Sequence, residues 1–525
     1  PNAYAIEKRG VAPCRDACPT GQRAQGYIAL IAAGRIEEAY RSIRRDNPFP
    51  AICGRICNAR CEDACSRGLV DEPVSIRKLK RFVTDSVMAS PREAPARAEQ
   101  RHEEKVAIIG AGPCGLTAAQ DLCLAGYGVT VFEALPVAGG MLRVGVPEFR
   151  LPAEIIEREI ADIIDLGVEL RLSTPVNNLD ELFSQGFAAV LIAVGAHEGN
   201  RLPIPGNNLD GVLVNTVFLR DVRLHQMDDS ARDPRQDIEN RRVVVIGGGD
   251  VAMDVARTAT RLGAASVTIA MREDEKEIPA SREEVLRAAE EGIQLHTSIH
   301  FLGVRDDGSG RVDGLECQRV RRFDVDADGV WVPDIIENSD FVLDADIVVF
   351  SAGQKSGLSF LPQISGVEVN GRQSVVVDPG SLATARPGVF AAGDAISGTA
   401  FVVEAIAGGH KSAAAIVRYL RGEDANYREA SQAVASFTRE QLADRMENGD
   451  LRITPRIEPD KRPIAGSISS FEEVEAGFTE KQARAEAARC LSCGICSECL
   501  SCEDVCDSGA IDLSGLPASR EIGVG

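Results

Sequence analysis

Aromatic residues, histidines and long apolar segments are all scarce in this sequence. Aromatic residues make up 5% of its 525 residues, and there are only six His and one Trp. Because the six His are scattered along the chain, we expect no histidine-based catalytic site. No apolar segment approaches the ~20 residues that a membrane-spanning helix needs, so we expect no membrane span.

Positive charge is also in deficit. The chain has 58 Lys and Arg against 79 Asp and Glu, which gives a formal net charge of −21. This balance disfavours nucleic-acid binding, because contacts with phosphates need a basic face. The acidity favours solubility, with docking onto a basic partner as the alternative. Residues 1–7 contain no secretory apolar segment, which predicts a cytoplasmic protein.

Cysteine, in contrast, is abundant and lies mostly at the two ends of the chain. Six of the 15 Cys fall between Cys14 and Cys65, and six between Cys490 and Cys506. Disulfides are typical of small secreted domains, whereas tight spacing in a large chain favours metal ligation, by iron–sulfur clusters rather than by zinc. The candidate ligands are Cys14, Cys18, Cys53, Cys57, Cys61, Cys65, Cys490, Cys493, Cys496, Cys499, Cys502 and Cys506.

Residues 1–98 are predicted to form a small, mainly helical iron–sulfur domain. Helical spacing runs from Tyr27 to Ala33 and from Ile36 to Ile43, and Val74 to Val83 indicates an amphipathic helix. From Cys53 to Cys65 a Cys recurs at every fourth position. This repeat either aligns thiols on one helix face or lines a turn around a cluster. Six thiols can hold one four-iron cluster with two to spare, so one cluster is favoured over two.

The last part of the chain, residues 481–525, carries a ferredoxin-like pattern. A short helix is expected from Lys481 to Arg489, and Cys then recurs at every third position from Cys490 to Cys502, with Cys506 four residues further on. The repeat predicts at least one more [4Fe–4S] cluster. Residues 422–480 are polar and charged, which indicates helices and a linker.

A complete dinucleotide fingerprint begins at residue 106. A short buried strand leads into Gly110, Gly112 and Gly115, a helix follows, and a second strand ends in Glu133. The three glycines allow a tight turn, a close approach of the pyrophosphate, and close packing of helix on strand. Glu133 is placed to accept hydrogen bonds from a ribose.

A second fingerprint begins at residue 241. A strand, the turn that starts at Gly247, and a helix follow one another, and the next strand ends at Arg272. An Arg at this position can bind an adenosine 2′-phosphate. The next residue, Glu273, would repel such a phosphate, so the charges favour NAD over NADP.

These patterns predict an α/β fold with two nested dinucleotide-binding, Rossmann-like domains, an N-terminal helical iron–sulfur domain and a C-terminal ferredoxin-like segment. Two dinucleotide folds in one chain imply two nucleotides, and a flavin facing a nicotinamide is the most economical interpretation. The flavin-binding domain would come in two parts, 99–215 and 351–421, with the NAD(P)-binding domain, 216–350, inserted between them. A returning strand would deliver Asp394 beside a helix from Thr399 to Leu420, whose N-terminus can face an anionic part of the flavin.

Taken together, the motifs resemble those of the small subunit of glutamate synthase and its relatives, from about residue 10 to 420. The same module occurs in dihydropyrimidine dehydrogenase and in bifurcating transhydrogenases. The marks of the resemblance are Cys18-Pro19, Gly54 to Cys57, Cys61-Glu62, Pro73 with Ile76 and Arg77, Gly139 to Pro152, and Phe390 to Asp394.

The resemblance implies FAD at the first fingerprint, NAD(P)H at the second, and [4Fe–4S] clusters that carry electrons to a partner. The residues implied to contact FAD are Gly110, Gly112, Pro113, Gly115, Glu133, Gly140, Leu142, Gly195, Gly393 and Asp394. Those implied to contact the nicotinamide nucleotide are Gly247, Gly249, Asp250, Val251, Arg272, Ala352 and Gly353.

The sequence also departs from that family. Relatives have two further Cys just ahead of the position of Cys14, and residues 7–13 contain none. Some relatives ligate a cluster through a Gln where this chain has Lys80. The cysteine-rich tail is similar to that of relatives that serve multi-subunit redox complexes, one of which is the iron–sulfur flavoprotein partner of dissimilatory sulfite reductase in sulfur metabolism.

We therefore expect an oxidoreductase that converts a hydride pair into single electrons for a partner protein, with the reverse direction open. A glutamate synthase-type or an electron-bifurcating transhydrogenase-type subunit is the alternative within the class. A flavin disulfide reductase would need two Cys close in sequence beside the flavin, which Cys114 and Cys123 do not provide. A redox-sensing or assembly subunit is the alternative from outside enzymes.

Overall fold

The structure is a computed structural model and describes residues 10–228, 230–325, 331–361, 366–426, 433–460, 462–494, 496–497, 499 and 501–505. Within these residues, no helix is both long and apolar enough to cross a membrane.

Most strands are short and buried. They are β1 (Lys105–Ile109), β2 (Gly128–Phe132), β3 (Glu169–Arg171), β4 (Phe187–Ile192), β5 (Glu198–Gly199), β6 (Val212–Val214), β7 (Arg242–Ile246), β8 (Ser266–Ala270), β9 (Gln294–His296), β10 (Ile299–Asp306), β11 (Val312–Val325), β12 (Trp331–Ile335), β13 (Phe341–Asp344), β14 (Ile347–Phe350), β15 (Gln354–Lys355) and β16 (Val389–Ala391).

Helices cover the sheets and build most of the two chain ends. They are α1 (Pro13–Asp16), α2 (Ala24–Ala32), α3 (Ile36–Asp46), α4 (Pro50–Ile56), α5 (Arg60–Asp63), α6 (Ile76–Met88), α7 (Pro113–Leu124), α8 (Met141–Val144), α9 (Ala153–Asp165), α10 (Leu179–Ser184), α11 (Asn215–Met227), α12 (Arg235–Ile238), α13 (Asp250–Arg261), α14 (Arg282–Glu290), α15 (Asp394–Ser397), α16 (Val402–Leu420), α17 (Arg439–Glu447), α18 (Ile464–Ser467), α19 (Glu480–Ala487) and α20 (Ser501–Asp504), with a 3-10 helix at Ser66–Leu69.

The first parallel sheet has the strand order β16-β4-β1-β2-β3. Its central strand β1 is apolar and buried, and it pairs Val106 with Val129 of β2 on one side and with Ala189 of β4 on the other. Both faces are covered, as a parallel sheet requires. Strand β16 joins this sheet from residue 389 onward, so the sheet is assembled from two separate parts of the chain.

The second parallel sheet has the order β6-β14-β7-β8-β9 and lies in the stretch between those two parts. Its strands β7 and β8 pair over their whole lengths, from Arg242 opposite Ser266 to Ile246 opposite Ala270. An antiparallel layer of β10 to β13 follows. The two Rossmann-like folds are therefore nested, and the predicted fold class is confirmed.

The repeat of Cys at every fourth position does not form one continuous helix. Helix α4 ends at Ile56, Ala59 adopts a left-handed φ of 53°, and α5 starts again at Arg60. The thiols consequently line a turn rather than one helix face, which selects one of the two alternatives that the spacing had left open.

The two ends of the chain pack on each other. Buried Tyr27 and Leu79 of the N-terminal helices share one apolar core with Phe478 and Ala483 from the C-terminal part. Helix α19 begins at a capping box in which Thr479 and Gln482 satisfy each other's backbone amides. Residues far apart in sequence therefore build one apolar core between the two cysteine-rich ends of the chain.

Candidate functional site

The first glycine turn is shaped by contacts that leave no room for side chains. Gly110 has φ +109°, and a Cβ there would stand 2.4 Å from the carbonyl oxygen of Ala193. A Cβ on Gly115 would stand 2.1 Å from the carbonyl oxygen of Gly110. Both positions therefore require glycine for the backbone itself, as the fingerprint predicts.

Gly112 differs, because the space beside it is open. A Cβ there would meet only the Cα of Gly140, at 4.0 Å, and its φ of −81° suits any residue. Gly140 belongs to the following glycine loop, and that loop is held to the turn by a 2.8 Å hydrogen bond from the Gly139 amide to the Ala111 carbonyl. Helix α7 begins at Pro113, so its free amides face the same open space. This space fits a pyrophosphate.

Glu133 stabilises the turn as well as lying beside it. Its carboxylate accepts hydrogen bonds from the amides of Ala111 at 2.9 Å and Leu135 at 2.8 Å. The side chain is 7% exposed. Its remaining lone pairs can accept a ribose hydroxyl, but the two amide bonds give it a structural role that the fingerprint alone did not indicate.

Asp394 opens helix α15 directly after Gly393, which has φ +67°. Burial raises the pKa of Asp394 to about 7, with a hydrogen bond from Ala400 acting against that rise. The next helix, α16, packs closely on α7, because a Cβ on Gly409 would stand 2.5 Å from the carbonyl oxygen of Cys114. Helix α7, which begins at the first glycine turn, and helix α16, which follows α15, are thus fixed to one another.

The other two residues implied to contact FAD lie around the same sheet. Leu142 is buried in α8 within the core of the first sheet. Gly195 follows β4, has φ +67°, and lies beside the ring of His197. Burial lowers the pKa of His197, so that ring is neutral near pH 7.

A cavity of about 300 Å³ lies at the second glycine turn. It is lined by Gly247, Gly249, Asp250, Val251, Arg272, Ala352 and Gly353, which are all seven residues that the sequence had implied for the nicotinamide nucleotide. A Cβ on Gly249 would meet no atom within 4 Å, so the turn faces open space there.

Three residues that sequence reasoning missed line the same cavity. Asn215 and Ser351 are almost fully buried, and their Oδ1 and Oγ atoms have no hydrogen-bond partner within the part of the chain that the structure describes. Buried polar atoms without partners are costly, so Asn215 and Ser351 are polar positions within an otherwise mixed lining of the cavity. The third residue, Thr399, lies between α15 and α16, so the cavity adjoins the elements that carry Asp394.

Arg272 and Glu273 both line this cavity. The Glu273 carboxylate lies over the turn, 3.2 Å from where a Cβ on Gly248 would stand. The cavity therefore presents a positive and a negative side chain at the end of the second strand of the fingerprint, which is where Rossmann-like folds bind the adenosine ribose of a nucleotide.

Lys80 lies among one group of thiols. It is 8% exposed and donates a hydrogen bond to Gln22 Oε1 at 3.1 Å. Burial lowers its pKa, but four neighbouring thiolates outweigh that effect and raise it. These neighbours, which we call the inner thiol set, are Cys18, Cys53, Cys57 and Cys61.

The inner thiol set adjoins the flavin-binding fold. Cys53 is 1% exposed and belongs to the same buried cluster as Ile108 and Phe390 of the first sheet, and Cys57 packs against that cluster. Burial raises the pKa of both thiols. An ion pair of 2.6 Å between Arg60 and Glu404 adds a link between α5 and α16.

A second group of thiols lines a separate, mostly apolar cavity. We call Cys14, Cys65, Cys490 and Cys493 the outer thiol set. The structure thus brings two Cys of the N-terminal region together with two of the tail, a grouping that spacing along the chain did not indicate. Cys496, Cys499 and Cys502 are partly buried elsewhere in the tail, and Cys506 lies outside the described residues.

No three His, Cys, Asp or Glu side chains among the described residues converge tightly enough to hold a single metal ion. A four-iron cube holds its thiolates on the outside, farther apart than the ligands of one zinc ion. The inner and outer thiol sets are therefore the two groups of four Cys that could serve as ligands of such a cluster.

Cys114 and Cys123 do not form a redox pair. Both are buried and free. The Cys123 thiol donates to the Leu166 carbonyl at 3.2 Å, while a Cβ on Gly393 would stand 3.2 Å from Cys114 Sγ. The two thiols therefore face different parts of the core.

Two family models match this chain. Residues 104–409 match pyridine nucleotide-disulphide oxidoreductase, and residues 8–91 match dihydropyrimidine dehydrogenase domain II, 4Fe-4S cluster. The chain belongs to the pyridine nucleotide-disulphide oxidoreductase family. This oxidoreductase thus combines an FAD/NAD(P)-binding fold with a 4Fe–4S domain, as the sequence had predicted.

Curated relatives support the resemblance to glutamate synthase small subunits. The small chain of Escherichia coli glutamate synthase [NADPH] is 34% identical over 78% of this oxidoreductase and 88% of its own length. The beta subunit of Moorella thermoacetica NADP(+)-dependent formate dehydrogenase is 38% identical, over 92% and 70%. The beta subunit of Geobacter sulfurreducens NADPH-Fe(3+) oxidoreductase is 33% identical, over 94% and 76%.

The fold also matches a solved structure, FprA from Mycobacterium tuberculosis. The TM-score is 0.52 at 18% identity, over 61% of this chain and 85% of that one. At this level of identity the match concerns the fold alone. The names of the curated relatives include NADP(+) or NADPH, so the comparisons do not support the preference for NAD that the charges had suggested.

Proposed function

We propose that this chain is an NAD(P)H:acceptor oxidoreductase that delivers single electrons to a partner redox protein. The observation that carries the proposal is the cavity at the second glycine turn, which is also lined by Thr399. Thr399 lies next to the helices that begin at Asp394 and Val402. The two nucleotide sites would therefore adjoin.

A bound flavin accepts a hydride from a nicotinamide and releases its electrons singly, and [4Fe–4S] clusters carry single electrons onward. Gly112, Gly140 and the N-terminus of α7 would hold the FAD pyrophosphate, and Glu133 the ribose. Gly249 and Asp250 would hold the nicotinamide nucleotide. The orphan atoms of Asn215 and Ser351 would bind polar groups of that nucleotide and exclude water.

The position of the inner thiol set supports electron exit on that side. Cys53 is part of the core of the flavin-binding fold, and Glu159 of α9 accepts hydrogen bonds from the amides that precede it. A cluster held by this set would thus sit on a rigid support next to the flavin. We propose the inner thiol set as the ligands of one [4Fe–4S] cluster, which the match of residues 8–91 to a 4Fe–4S domain supports.

The acceptor is proposed to be another subunit. Relatives carry the names of subunits, namely formate dehydrogenase subunit beta and glutamate synthase small chain, which supports a hetero-complex. Dissimilatory sulfite reductase, glutamate synthase-type and bifurcating partners are the candidates, in either direction of electron flow. A cytoplasmic location stays a prediction.

The test is an anaerobic titration of the purified protein with NADH and then NADPH, followed by visible absorbance. We expect either nucleotide to bleach the flavin band and then the broad iron–sulfur band. Gly249→Ala should abolish both responses while dithionite still bleaches the protein, because the methyl enters open space in the cavity. Gly371→Ala, also in open space but outside the lining of that cavity, is the matched control.

A protein that binds FAD but responds to neither nucleotide would overturn the proposal. That result would favour the sensing or assembly alternative, in which the nucleotides are structural.

A further inference from the structure

The outer thiol set takes thiols from both ends of the chain. The cavity receives Cys14 and Cys65 from the N-terminal region. The other N-terminal thiols belong to the inner set around Lys80. Two thiols are too few for a four-iron cluster, which takes four protein ligands.

The tail supplies two more thiols to the same cavity. We propose that Cys14, Cys65, Cys490 and Cys493 together hold one [4Fe–4S] cluster, so that a single cluster site is built from both ends of the chain. The role of this cluster in electron transfer rests on the proposed function, but its existence does not.

The four thiols are neighbours around this cavity. Cys65, Cys490 and Cys493 all neighbour Cys14, and Cys65 and Cys493 also neighbour Cys490. Four neighbouring thiols match the ligand set that a [4Fe–4S] cluster takes.

The rest of the cavity suits a cluster. Its lining includes the apolar side chains of Ile28, Val74, Ile76 and Leu491. An apolar lining excludes water, which stabilises iron–sulfur clusters and influences their potentials. Cys14, Cys65, Cys490 and Cys493 form no disulfide in the part of the chain that the structure describes, so a disulfide does not account for this grouping.

The tail is fixed where it enters the cavity. Directly after Cys493, the amide of Gly494 donates to Gln25 Oε1 at 2.7 Å, and Gln25 Nε2 donates back to the Gly494 carbonyl at 3.1 Å. Gln25 is 5% exposed and lines the cavity on helix α2. This reciprocal pair joins two residues that are 469 positions apart.

A buried ionic network fixes the tail on the other side, directly before Cys490. Arg489 is 4% exposed and contacts Glu486 at 2.6 Å and Asp71 at 2.9 Å. Arg67, which follows Cys65 by two residues, donates to the Arg489 carbonyl at 3.2 Å. Ligands from both ends are thus held on the same charged framework.

The test compares iron content and the electron paramagnetic resonance spectrum of dithionite-reduced full-length variants. Cys14→Ala and Cys490→Ala should each remove the same signal and about four iron atoms per chain. The double variant Cys14→Ala/Cys490→Ala should lose no more iron than either single variant. Separate clusters at the two ends would instead make the losses add to about eight atoms and remove two different signals, which would overturn the proposal.

Cys499→Ala is the matched control in the tail, because Cys499 does not line the cavity. It should leave the signal of the outer set unchanged. FAD content and far-ultraviolet circular dichroism report whether each variant folds. If an alanine variant fails to fold, serine variants replace it, and Cys14→Ser and Cys490→Ser should shift the g-values of the same signal. Shifts in two different signals would contradict a shared site.

These readouts use dithionite and need no nucleotide. A shared cluster in a protein that binds FAD but responds to neither NADH nor NADPH would therefore support this site while overturning the proposed function.

Discussion

Glu159 accepts a hydrogen bond from the backbone amide of Ala51 at 2.6 Å, although 108 residues separate the two in sequence. The same carboxylate accepts the amide of Ile52 at 3.1 Å. It therefore caps the first turn of helix α4, which carries Cys53, from a helix of the flavin-binding fold. This contact joins the two regions between which electrons would pass.

Replacement of Glu159 tests that junction through its pH dependence. The side chain is fully buried, and burial raises its pKa from 4.5 to about 7, against the two amide bonds. A carboxyl group with a raised pKa contributes its full stability below its unfolded pKa and loses it as the pH rises through the folded value. For this shift the loss is at most about 3 kcal/mol.

We expect the thermal stability of Glu159→Gln to depend less on pH than that of the wild type. Relative to this variant, the wild type should lose thermal stability as the pH rises from about 4.5 to about 7, as followed by the midpoint of unfolding. Glu154→Gln, on the exposed start of the same helix, should parallel the wild type. If the midpoint of unfolding of Glu159→Gln changed with pH as that of the wild type does, the raised pKa of Glu159 would be contradicted.

The first glycine turn allows binding and folding effects to be separated. Gly112→Ala adds a methyl in the open space of the turn without a protein clash, so FAD affinity should fall at least about 10-fold while the fold remains stable. Gly110→Ala forces a clash with the Ala193 carbonyl at φ +109° and should destabilise the fold by about 1–3 kcal/mol or more.

Flavin fluorescence on reconstitution and thermal unfolding of the apoprotein measure the two effects. Gly371→Ala, at a position with no neighbour within 4 Å, should change neither. Equal losses of FAD and of apoprotein stability in Gly112→Ala would show that this glycine serves the fold instead of the ligand.

Local patterns predicted the two glycine turns because each is one short strand–turn–helix segment. The strand, the Gly110 turn and the helix that follows occupy about 20 consecutive residues, and the physics of the turn is contained within them. The family resemblance then placed the residues around Ala352 and Asp394 near the same ligands.

The grouping of the thiols could not be predicted in this way. Spacing from Cys490 to Cys506 indicates a cluster within the tail, but Cys490 lies with Cys14, and only the tertiary packing of α19 on α2 and α6 brings them together. Asn215 also carries no sequence signal, because its role follows from a buried oxygen left without a partner in the described structure.

Lys80 places a positive charge among the inner thiol set, which should raise the reduction potential of a cluster held there. A charge stabilises the more negative reduced state by about 2–3 kcal/mol at ~6 Å and an effective dielectric constant of ~20. Lys80→Met should therefore lower the potential by on the order of 100 mV in a redox titration followed by electron paramagnetic resonance.

Lys78→Met is the matched control on the same helix. Its ammonium group pairs with Glu283 and Glu458 instead of the thiols, so its loss should shift the potential much less. An unchanged potential in Lys80→Met would show that the inner thiol set does not hold the cluster that is being titrated.

Glu273 decides the nucleotide preference if the cavity binds the adenosine ribose where Arg272 lies. Its carboxylate would repel a 2′-phosphate, whereas Arg272 would attract it. Glu273→Gln should raise kcat/KM for NADPH relative to NADH by about 10-fold, which corresponds to about 1.4 kcal/mol of removed repulsion. Steady-state dye reduction with each nucleotide measures the ratio.

Glu275→Gln removes the same charge two residues later, at an exposed position outside the cavity lining, and should leave the ratio unchanged. Arg272→Leu should lower kcat/KM for NADPH relative to NADH, because it removes the positive side chain that would attract the 2′-phosphate. If Glu273→Gln leaves the ratio unchanged, the 2′ position lies away from this pair, and the preference is set elsewhere in the cavity.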